Sequence, residues 1–402
     1  MLKKQYTYPD RKQRQGTDHE QYIYLDIETT GLARDTTILY LIGCGYYEQH
    51  NLHILQWFND DGVSEEEILQ ELEDFLSSRD GIFFTFNGEG FDLPYLKRHY
   101  ELNELSCRLD DYPSYDLYKT LKIFQPLFHL PHGRQKDWER FLGINREDSF
   151  NGGQLISVYK EYLRTKKEDL LSLLLLHNEE DILGMTDLYP LESYGQFLAE
   201  KIIYEQVSFT SFDEMPEQGY LTMHGRLTRK VPKPLRLLVP LSLQTGKLAE
   251  NPALQAEKQP YVFHLHVEEE QVRLTLPVFD DTLYYFYPDY QNYFYLPKED
   301  RAVHKSIGCY VDRHYRQKAT AQNCYIRKEG LFLPLPLKQK YKGIQIMPST
   351  GQDRLTLYRF HHKDRYAYVD IQQLFLEEKS LILPFFCDWI KTLLIEGSRP
   401  RS

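Results

Sequence analysis

The pattern of apolar and polar positions divides the chain into two parts. In residues 21–203, short runs of aromatic and β-branched residues alternate with stretches of helical periodicity. The pattern predicts strands at 22–28, 38–47, 51–58 and 82–86, and helices at 64–76, 92–103, 135–142, 152–163 and 168–198. Three strands, a helix, a fourth strand and further helices predict an α/β domain with a mixed sheet flanked by helices.

After residue 204 the pattern changes to short apolar or aromatic runs that are broken by Pro, Gly and Asp. These runs predict strands at 235–243, 261–267, 272–279, 282–288 and 293–297. The segment 383–397 predicts a C-terminal amphipathic helix. We therefore expect residues 204–402 to form a mostly β accessory domain, and the polar residues 1–20 to form a flexible N-terminal arm.

The composition is that of a globular protein with a substantial core, since 42% of the residues are hydrophobic and 27% are charged. The N-terminus lacks the apolar segment of a secretory signal, and the longest aliphatic run, 170–176, is too short to span a bilayer. The five cysteines show no CxxC spacing, which favours reduced thiols in a cytoplasm. The sequence thus predicts a cytoplasmic protein without a membrane partner.

The net charge of −11 is distributed unevenly. Residues 1–200 contain 20 Lys and Arg against 36 Asp and Glu, whereas residues 301–350 contain 10 against 2. An acidic half that binds cations and a basic segment that binds phosphates would suit a nuclease, although solvated surface faces would give the same imbalance.

Two acids interrupt the first apolar strand, YIYLDIETTGL at 22–32. Asp26 and Glu28 are two positions apart, so both side chains point to the same face of the strand. Two half-buried carboxylates repel each other and lose hydration, and a cation between them relieves both effects. Because oxygen ligands favour Mg²⁺ or Mn²⁺, this pair is the first candidate for a metal site.

Two later motifs offer further ligands. The strand at 82–86 ends in a Gly-rich loop that contains Asn87, and Asp92 stands at the next helix start, where it is either a ligand or an N-cap. His177 and Asp181 are four residues apart and share one face of a strongly apolar helix. Taken alone, His177 also suits a cap or an exposed helix surface, and Asp181 also suits an ordinary exposed acid.

Together the three motifs are more specific. Asp-x-Glu on the first strand, Asn-x4-Asp at a helix start and His-x3-Asp on a late helix resemble the DEDD superfamily of 3′-5′ exonucleases, which includes polymerase proofreading domains and ribonuclease D. The resemblance covers about residues 22–190 and points to the bacterial YprB-like group of ribonuclease-H-like proteins. Asp116 in SYDLYKTLK and the stretch RQKDWERFLGINREDSFNGG at 134–153 also match that group.

The resemblance implies that Asp26, Glu28, Asp92 and Asp181 hold two Mg²⁺ or Mn²⁺ ions and that His177 is the general base. Two such ions activate a water and stabilise the leaving oxygen in phosphodiester hydrolysis. The tyrosine branch of the superfamily has Tyr-x3-Asp, and the histidine branch places His one residue further from its Asp. This chain combines the spacing of the first branch with the residue of the second, so His177 is either a working base or a residue that only orients a water.

Several other residues are candidates for substrate contact or support. The resemblance implies that Thr29 and Thr30 meet the terminal nucleotide. Asn87 either positions substrate or braces the Asp92 loop, and Asp116 either supports the metal ligands or caps its own helix.

The basic tract at 301–342 is a further candidate for nucleic-acid contact. Its cations, with Arg313 and Arg316 as our candidates, can meet phosphates while Tyr310, Tyr315 and Tyr325 stack on bases. A solvated surface face explains the same tract equally well.

The sequence therefore predicts a metal-dependent nuclease, a hydrolase of phosphodiester bonds that acts as a 3′-5′ exonuclease on single-stranded DNA or RNA. One alternative is a nucleic-acid-binding or scaffolding protein that keeps the fold with weak activity. The other is an endonuclease on the same fold. The presence of all four acids favours an enzyme over a scaffold.

Overall fold

The structure is a computed structural model that describes residues 1–9, 20–146, 150, 152–210, 219–241, 261–335, 356–364, 367–377 and 379–399. The chain forms two compact units, unit 1 at Met1–Gly195 and unit 2 at Gln196–Ser402. Within the described residues, no helix combines the length and the apolar character needed to cross a membrane. The five cysteines are free thiols.

Unit 1 is the predicted mixed sheet flanked by helices. Its strands are β1 (Leu2–Pro9), β2 (Tyr22–Thr29), β3 (Leu39–Glu48), β4 (Asn51–Phe58), β5 (Ile82–Thr85) and β6 (Ser114–Asp116). Its helices are α1 (Glu65–Ser77), α2 (Asp92–Leu102), α3 (Leu117–Leu121), α4 (Gln135–Leu142), α5 (Gly152–Thr165) and α6 (Glu168–Leu188), and a short helix α7 (Gly195–Leu198) contains the boundary to unit 2. The helix predicted at 168–198 is thus interrupted, because a 3-10 turn with Pro190 in its first positions follows α6.

The strand order β1-β4-β3-β2-β5-β6 places β2 inside the sheet. β2 is antiparallel to β3 and parallel to β5, and β5 is parallel to β6. A β-bulge between Glu28 and Thr29 shifts the pairing with β3 where β2 ends. Bulges of this kind redirect side chains and often lie beside functional sites.

The two faces of β2 serve different purposes. Ile23, Leu25 and Ile27 point into an apolar core that includes residues of α1 and α2. Asp26 and Glu28 point to the opposite face, where α6 packs.

Glycine at position 43 of β3 permits the close approach of α6. Gly43 pairs with Asp26 across the sheet, and a Cβ atom there would lie 2.1 Å from Asn178 Oδ1 and 2.6 Å from Ile182 Cδ1. Real Cβ atoms do not approach so closely, so any larger residue would push α6 away from the strand.

The N-terminal arm predicted at 1–20 is wrong for Leu2–Pro9, which form β1 and pair with β4 from Leu2 opposite Phe58 to Pro9 opposite Asn51. An edge strand is held mainly by backbone hydrogen bonds, and LKKQYTYP exposes most of its side chains, so it lacks the apolar run by which strands are recognised. Residues 10–19 of the predicted arm lie outside the described residues.

Unit 2 is mostly β, as predicted. Its strands are β7 (Ile202–Thr210), β8 (Gly219–Leu227), β9 (Leu235–Leu241), β10 (Tyr261–Glu268), β11 (Gln271–Phe286), β12 (Tyr293–Leu296), β13 (Arg301–His304), β14 (Gln317–Lys318), β15 (Tyr325–Pro334), β16 (Leu357–Tyr358) and β17 (Tyr368–Asp370). Its helical segments are α8 (Lys305–Gly308), a π-helical turn (Gln373–Glu377) and α9 (Ile382–Gly397). In the described residues these strands form an antiparallel sheet of eight strands and a small sheet in the order β13-β12-β14.

β11 is one continuous strand where the sequence pattern predicted two. Asp280 and Asp281 look like a break, but they pair with Leu331 and Gly330 of β15 and continue the ladder. The predicted C-terminal helix is confirmed as α9, where Trp389 stacks on Phe263 with ring centroids 4.6 Å apart.

We expect Gly43→Ala to destabilise the protein by about 1–3 kcal/mol, because the added methyl group overlaps Asn178 and Ile182. Thermal unfolding followed by circular dichroism measures the effect. Gly152→Ala is the matched control, since nothing lies within 4 Å of a Cβ atom at that position of α5. Equal melting temperatures for the two variants would contradict the proposed close approach of α6.

Candidate metal centre

The four predicted acids come from three elements and converge on one place. Asp26 and Glu28 lie on β2, Asp92 is the first residue of α2, and Asp181 lies near the middle of α6. The backbone N–H of Ile27 donates to Asp92 Oδ1 at 3.1 Å, which holds Asp92 beside the strand between the two β2 acids.

Burial raises the pKa of Asp26 well above its usual value, and the negative charges of Asp181, Glu28 and Asp92 raise it further. Only the hydrogen bond from Asn178 acts in the opposite direction among the main causes. Asp26 is therefore close enough to the other three acids for their negative charges to raise its pKa.

Burial also raises the pKa of Asp92, to about 7, with smaller contributions from the charges of Asp116 and Asp181. The hydrogen bonds from the N–H groups of Ile27 and of Asp92 itself oppose this rise. A carboxyl group with such a pKa is partly protonated near neutral pH unless a cation compensates its charge.

His177 lies among these acids. Its Nε2 is 3.4 Å from Glu28 Oε1 and 3.3 Å from Asp181 Oδ2, and the side chains are largely buried. One ligand atom from each of Glu28, His177 and Asp181 lies within 4.8 Å of the others, so these three can share a single ion. The Tyr40 hydroxyl donates to the second oxygen of Glu28 at 3.3 Å.

Asn178, which the sequence reasoning missed, connects α6 to the sheet. Its Nδ2 donates to Asp26 Oδ2 at 2.8 Å, and its Oδ1 accepts from Gln56 Nε2 on β4 at 2.8 Å. The available signal was a polar residue next to His177 in an apolar helix, at a position that turns out to be fully buried.

Arg146 and Glu139 were also missed as site residues, although both occur in the stretch that carried the resemblance. Arg146 donates through Nη1 to Asp181 Oδ1 at 2.5 Å, and through Nε and Nη2 to the two oxygens of Glu139 on α4. Burial by itself would lower the pKa of Arg146, but the hydrogen bonds and charges of Glu139 and Asp181 raise it above its ordinary value. The guanidinium is therefore a fixed positive charge beside Asp181.

Asp116 is the N-cap of α3 and supports the loop before Asp92. Its carboxylate accepts from the backbone N–H groups of Tyr118 at 3.0 Å, Asn87 at 2.8 Å and Glu89 at 3.2 Å. The capping interpretation of Asp116 is confirmed. Asn87 is exposed and has a left-handed backbone with φ of 68°, as the tight loop requires.

The hydroxyl groups of Thr29 and Thr30 are engaged in the turn between β2 and β3. Thr29 Oγ1 donates to the carbonyl oxygen of Gly31 at 2.8 Å, and Thr30 Oγ1 accepts from the N–H of Ile38 at 2.8 Å. The structure thus shows these side chains shaping the turn, and their contact with substrate stays a prediction.

The candidate phosphate contacts Arg313 and Arg316 belong to unit 2 and differ from each other. Arg313 is exposed in a short 3-10 turn. Arg316 lies 4.6 Å from the ring centroid of Phe294 and donates to the carbonyl oxygen of Gly308. Arg316 is therefore partly used in holding its own loop.

Comparisons with known proteins agree with this architecture. Residues 23–191 match the family model described as the RNase_H superfamily. A relative, the uncharacterized protein YprB of Bacillus subtilis (strain 168), is 25% identical over 190 residues, which cover 43% of this chain and 42% of the relative. The chain thus spans less than half the length of that relative.

Solved structures with partial likeness include exonucleases. Escherichia coli exonuclease I in complex with a dT13 oligonucleotide is 11% identical with a TM-score of 0.28, covering 62% of this chain and 65% of that one. Brucella melitensis NrnC with bound Mg²⁺ is 14% identical with a TM-score of 0.23, covering 45% of this chain and 88% of that one. The family match and the mixed sheet of unit 1 agree on an RNase H-like fold for residues 23–191.

Proposed function

We propose that this chain is a metal-dependent nuclease that hydrolyses phosphodiester bonds, as a 3′-5′ exonuclease of single-stranded DNA or RNA. The observation that supports this most is the convergence of Asp26, Glu28, Asp92 and Asp181 beside His177 on an RNase H fold. The 3′-5′ direction is what the resemblance to the DEDD superfamily implies.

The donor set fits Mg²⁺ or Mn²⁺. Carboxylate oxygens are the ligands that these ions prefer, and a bound cation would offset the burial and the like charges that raise the pKa values of Asp26 and Asp92. Asp26, Glu28, Asp92 and Asp181 would hold two ions. When bound, such ions polarise the scissile phosphate and make a water more acidic.

His177 would accept the proton of the attacking water, a role in which its Nε2 is not a ligand of the ions. Its Nε2 faces an oxygen of Glu28 and an oxygen of Asp181, so the ring lies directly beside the ligand set. A ring nitrogen of an imidazole can accept a proton from water, which suits a general base. Asn178 and the Ile27 N–H keep the neighbouring carboxylates oriented.

The loops at 297–300 and 309–316, beside the small sheet of unit 2, would contact the nucleic acid. Lys298 Nζ lies 4.3 Å from the ring centroid of Tyr315, and Tyr310 is 89% exposed close to Arg313 along the chain. Exposed aromatic rings next to cations bind single strands by stacking on bases and neutralising phosphates. We also propose a cytoplasmic location, which the scattered spacing of the five cysteines in the sequence favours.

We expect the wild-type protein with Mn²⁺ to degrade 3′-labelled single-stranded DNA or RNA and to spare a closed single-stranded circle. Asp26→Ala should abolish the activity because it removes a ligand, and His177→Ala should lower the rate by about 10²–10⁴-fold because it removes the base. Gel analysis of labelled products measures both. Asp110→Ala is the control, since Asp110 is a 79% exposed acid of the same unit.

An active Asp26→Ala variant would remove the proposed mechanism, whereas an active His177→Ala variant would remove only the base. Cleavage of the circle would point to an endonuclease. Binding without any cleavage by the wild type would point to a scaffold.

Without divalent ions, we expect Asp92→Asn to stabilise the protein at pH 8 by about 1–3 kcal/mol, and by less at pH 5. The folded-state pKa of Asp92, about 7, lies above the ordinary value of 3.8, so its charge makes the folded state less stable as pH rises from about 4 to 7. Melting temperatures in EDTA at both pH values measure this. A variant that is less stable than the wild type at pH 8 would contradict the electrostatic account.

We expect Tyr315→Ala and Arg313→Ala each to weaken binding of a fluorescent single-stranded oligonucleotide by about 5- to 100-fold, in line with about 1–3 kcal/mol per stacked base. Fluorescence anisotropy in EDTA measures binding without cleavage. Lys379→Ala is the control, because Lys379 is an exposed cation of unit 2 outside the basic tract. Unchanged affinity in both variants would mean that the tract is a solvated surface.

A further inference from the structure

Asp181 is held by a buried set of polar groups that come from α4 and from the segment that follows it. The side chain of Arg146 is 8% exposed and that of Glu139 is 1% exposed. The guanidinium binds the carboxylates of Glu139 and Asp181 at the same time. Gln135 Nε2 donates to Glu139 Oε1 at 3.0 Å and to the backbone oxygen of Asp181 at 2.8 Å. Both the side chain and the backbone of Asp181 are therefore tied to this group of residues.

Close packing of α4 against α6 makes this arrangement possible. A Cβ atom on Gly184 of α6 would lie 2.0 Å from Glu139 Oε1, so the Glu139 carboxylate occupies the space beside a glycine. Gly184 is one helical turn from Asp181, on the same side of α6. Helix α6 thus contains both the candidate ligand Asp181 and the glycine that leaves room for the Glu139 carboxylate.

The geometry divides the two oxygens of Asp181 between two partners. Oδ1 accepts from Arg146 at 2.5 Å, and Oδ2 lies 3.3 Å from His177 Nε2, toward Glu28. With Oδ1 fixed, rotation of the carboxylate is restrained. Only Oδ2 is presented to the remaining ligands.

The charges explain why both Arg146 and Glu139 are needed to hold Asp181. An arginine alone would place a positive charge beside a site for divalent cations and would cancel the charge of Asp181. Glu139 supplies the opposite charge in a bidentate pair, so the guanidinium retains its directional hydrogen bond while the pair as a whole is neutral.

We propose that Glu139 and Arg146 are positioning residues that present a single oxygen of Asp181 to a divalent ion. The proposal rests on the proposed metal-dependent function. Neither residue is placed here in contact with substrate, and both act through Asp181. A merely structural role would lower stability without changing the affinity for metal.

The test is titration of the metal-free full-length protein with Mn²⁺ by isothermal calorimetry, together with kcat and KM on single-stranded substrate. The main variant is Glu139→Gln combined with Arg146→Gln, which removes both charges together, because removing Arg146 alone would leave Glu139 buried and unpaired. We expect Mn²⁺ affinity to fall about 10- to 100-fold, as for other residues that orient metal ligands, with a lower kcat and an unchanged KM.

Arg146→Lys tests the same proposal with the charge kept. Lysine cannot bind both carboxylates through a planar fork, so its Mn²⁺ affinity should lie between those of the wild type and the double variant. Arg140→Gln is the matched control, because Arg140 lies on α4 with a 71% exposed side chain. It should behave like the wild type.

The outcomes separate the two proposals. If the wild type does not bind Mn²⁺, or if Asp181→Asn binds it equally well, the proposed function fails. If Asp181→Asn loses binding while the double variant keeps wild-type affinity and kcat with a lower melting temperature, only the positioning role fails. Should the double variant not fold, wild-type affinity in Arg146→Lys overturns the inference and weaker affinity supports it.

Discussion

The close approach of α6 to β2 and β3 is the contact on which the candidate site depends. A Cβ atom at Gly45 would lie 2.5 Å from Ile182, as one at Gly43 would overlap Asn178, so the helix fills the space that two glycines leave open. His177 and Asp181 lie on the same face of this helix. Their position opposite Asp26 is therefore set by packing between a helix and a sheet, which is more rigid than a loop.

The same contact brings like charges together where little water reaches them. Asn178 and the Ile27 N–H offset part of the repulsion, yet burial and neighbouring charges still raise the pKa of Asp26 and of Asp92. The opposite face of β2 supplies apolar contacts through Leu25 and Ile27. One face of the strand thus stabilises the unit, and the other collects charges whose repulsion favours a bound cation.

Much of unit 1 was predictable because its strands and helices have clear periodicity. The acids of β2 were found because two charges in an apolar strand are unusual, and α4 was predicted with its observed bounds, 135–142. β1 was missed because an edge strand with exposed polar side chains has no apolar signature. Arg146 was quoted in a motif but given no role, since its partner Asp181 is 35 residues away and no local pattern links them.

The hydrogen-bond donors around each acid distinguish Asp116 and Glu139 from Asp26. Asp116 accepts three backbone N–H groups, and Glu139 accepts a guanidinium and an amide, so the protein itself satisfies these carboxylates. Asp26 accepts from the side chain of Asn178 and otherwise faces Glu28, Asp92 and Asp181. Donors from the protein thus compensate the charges of Asp116 and Glu139, whereas Asp26 has a single such donor and three acids beside it, and this difference favours a cation at the proposed metal site.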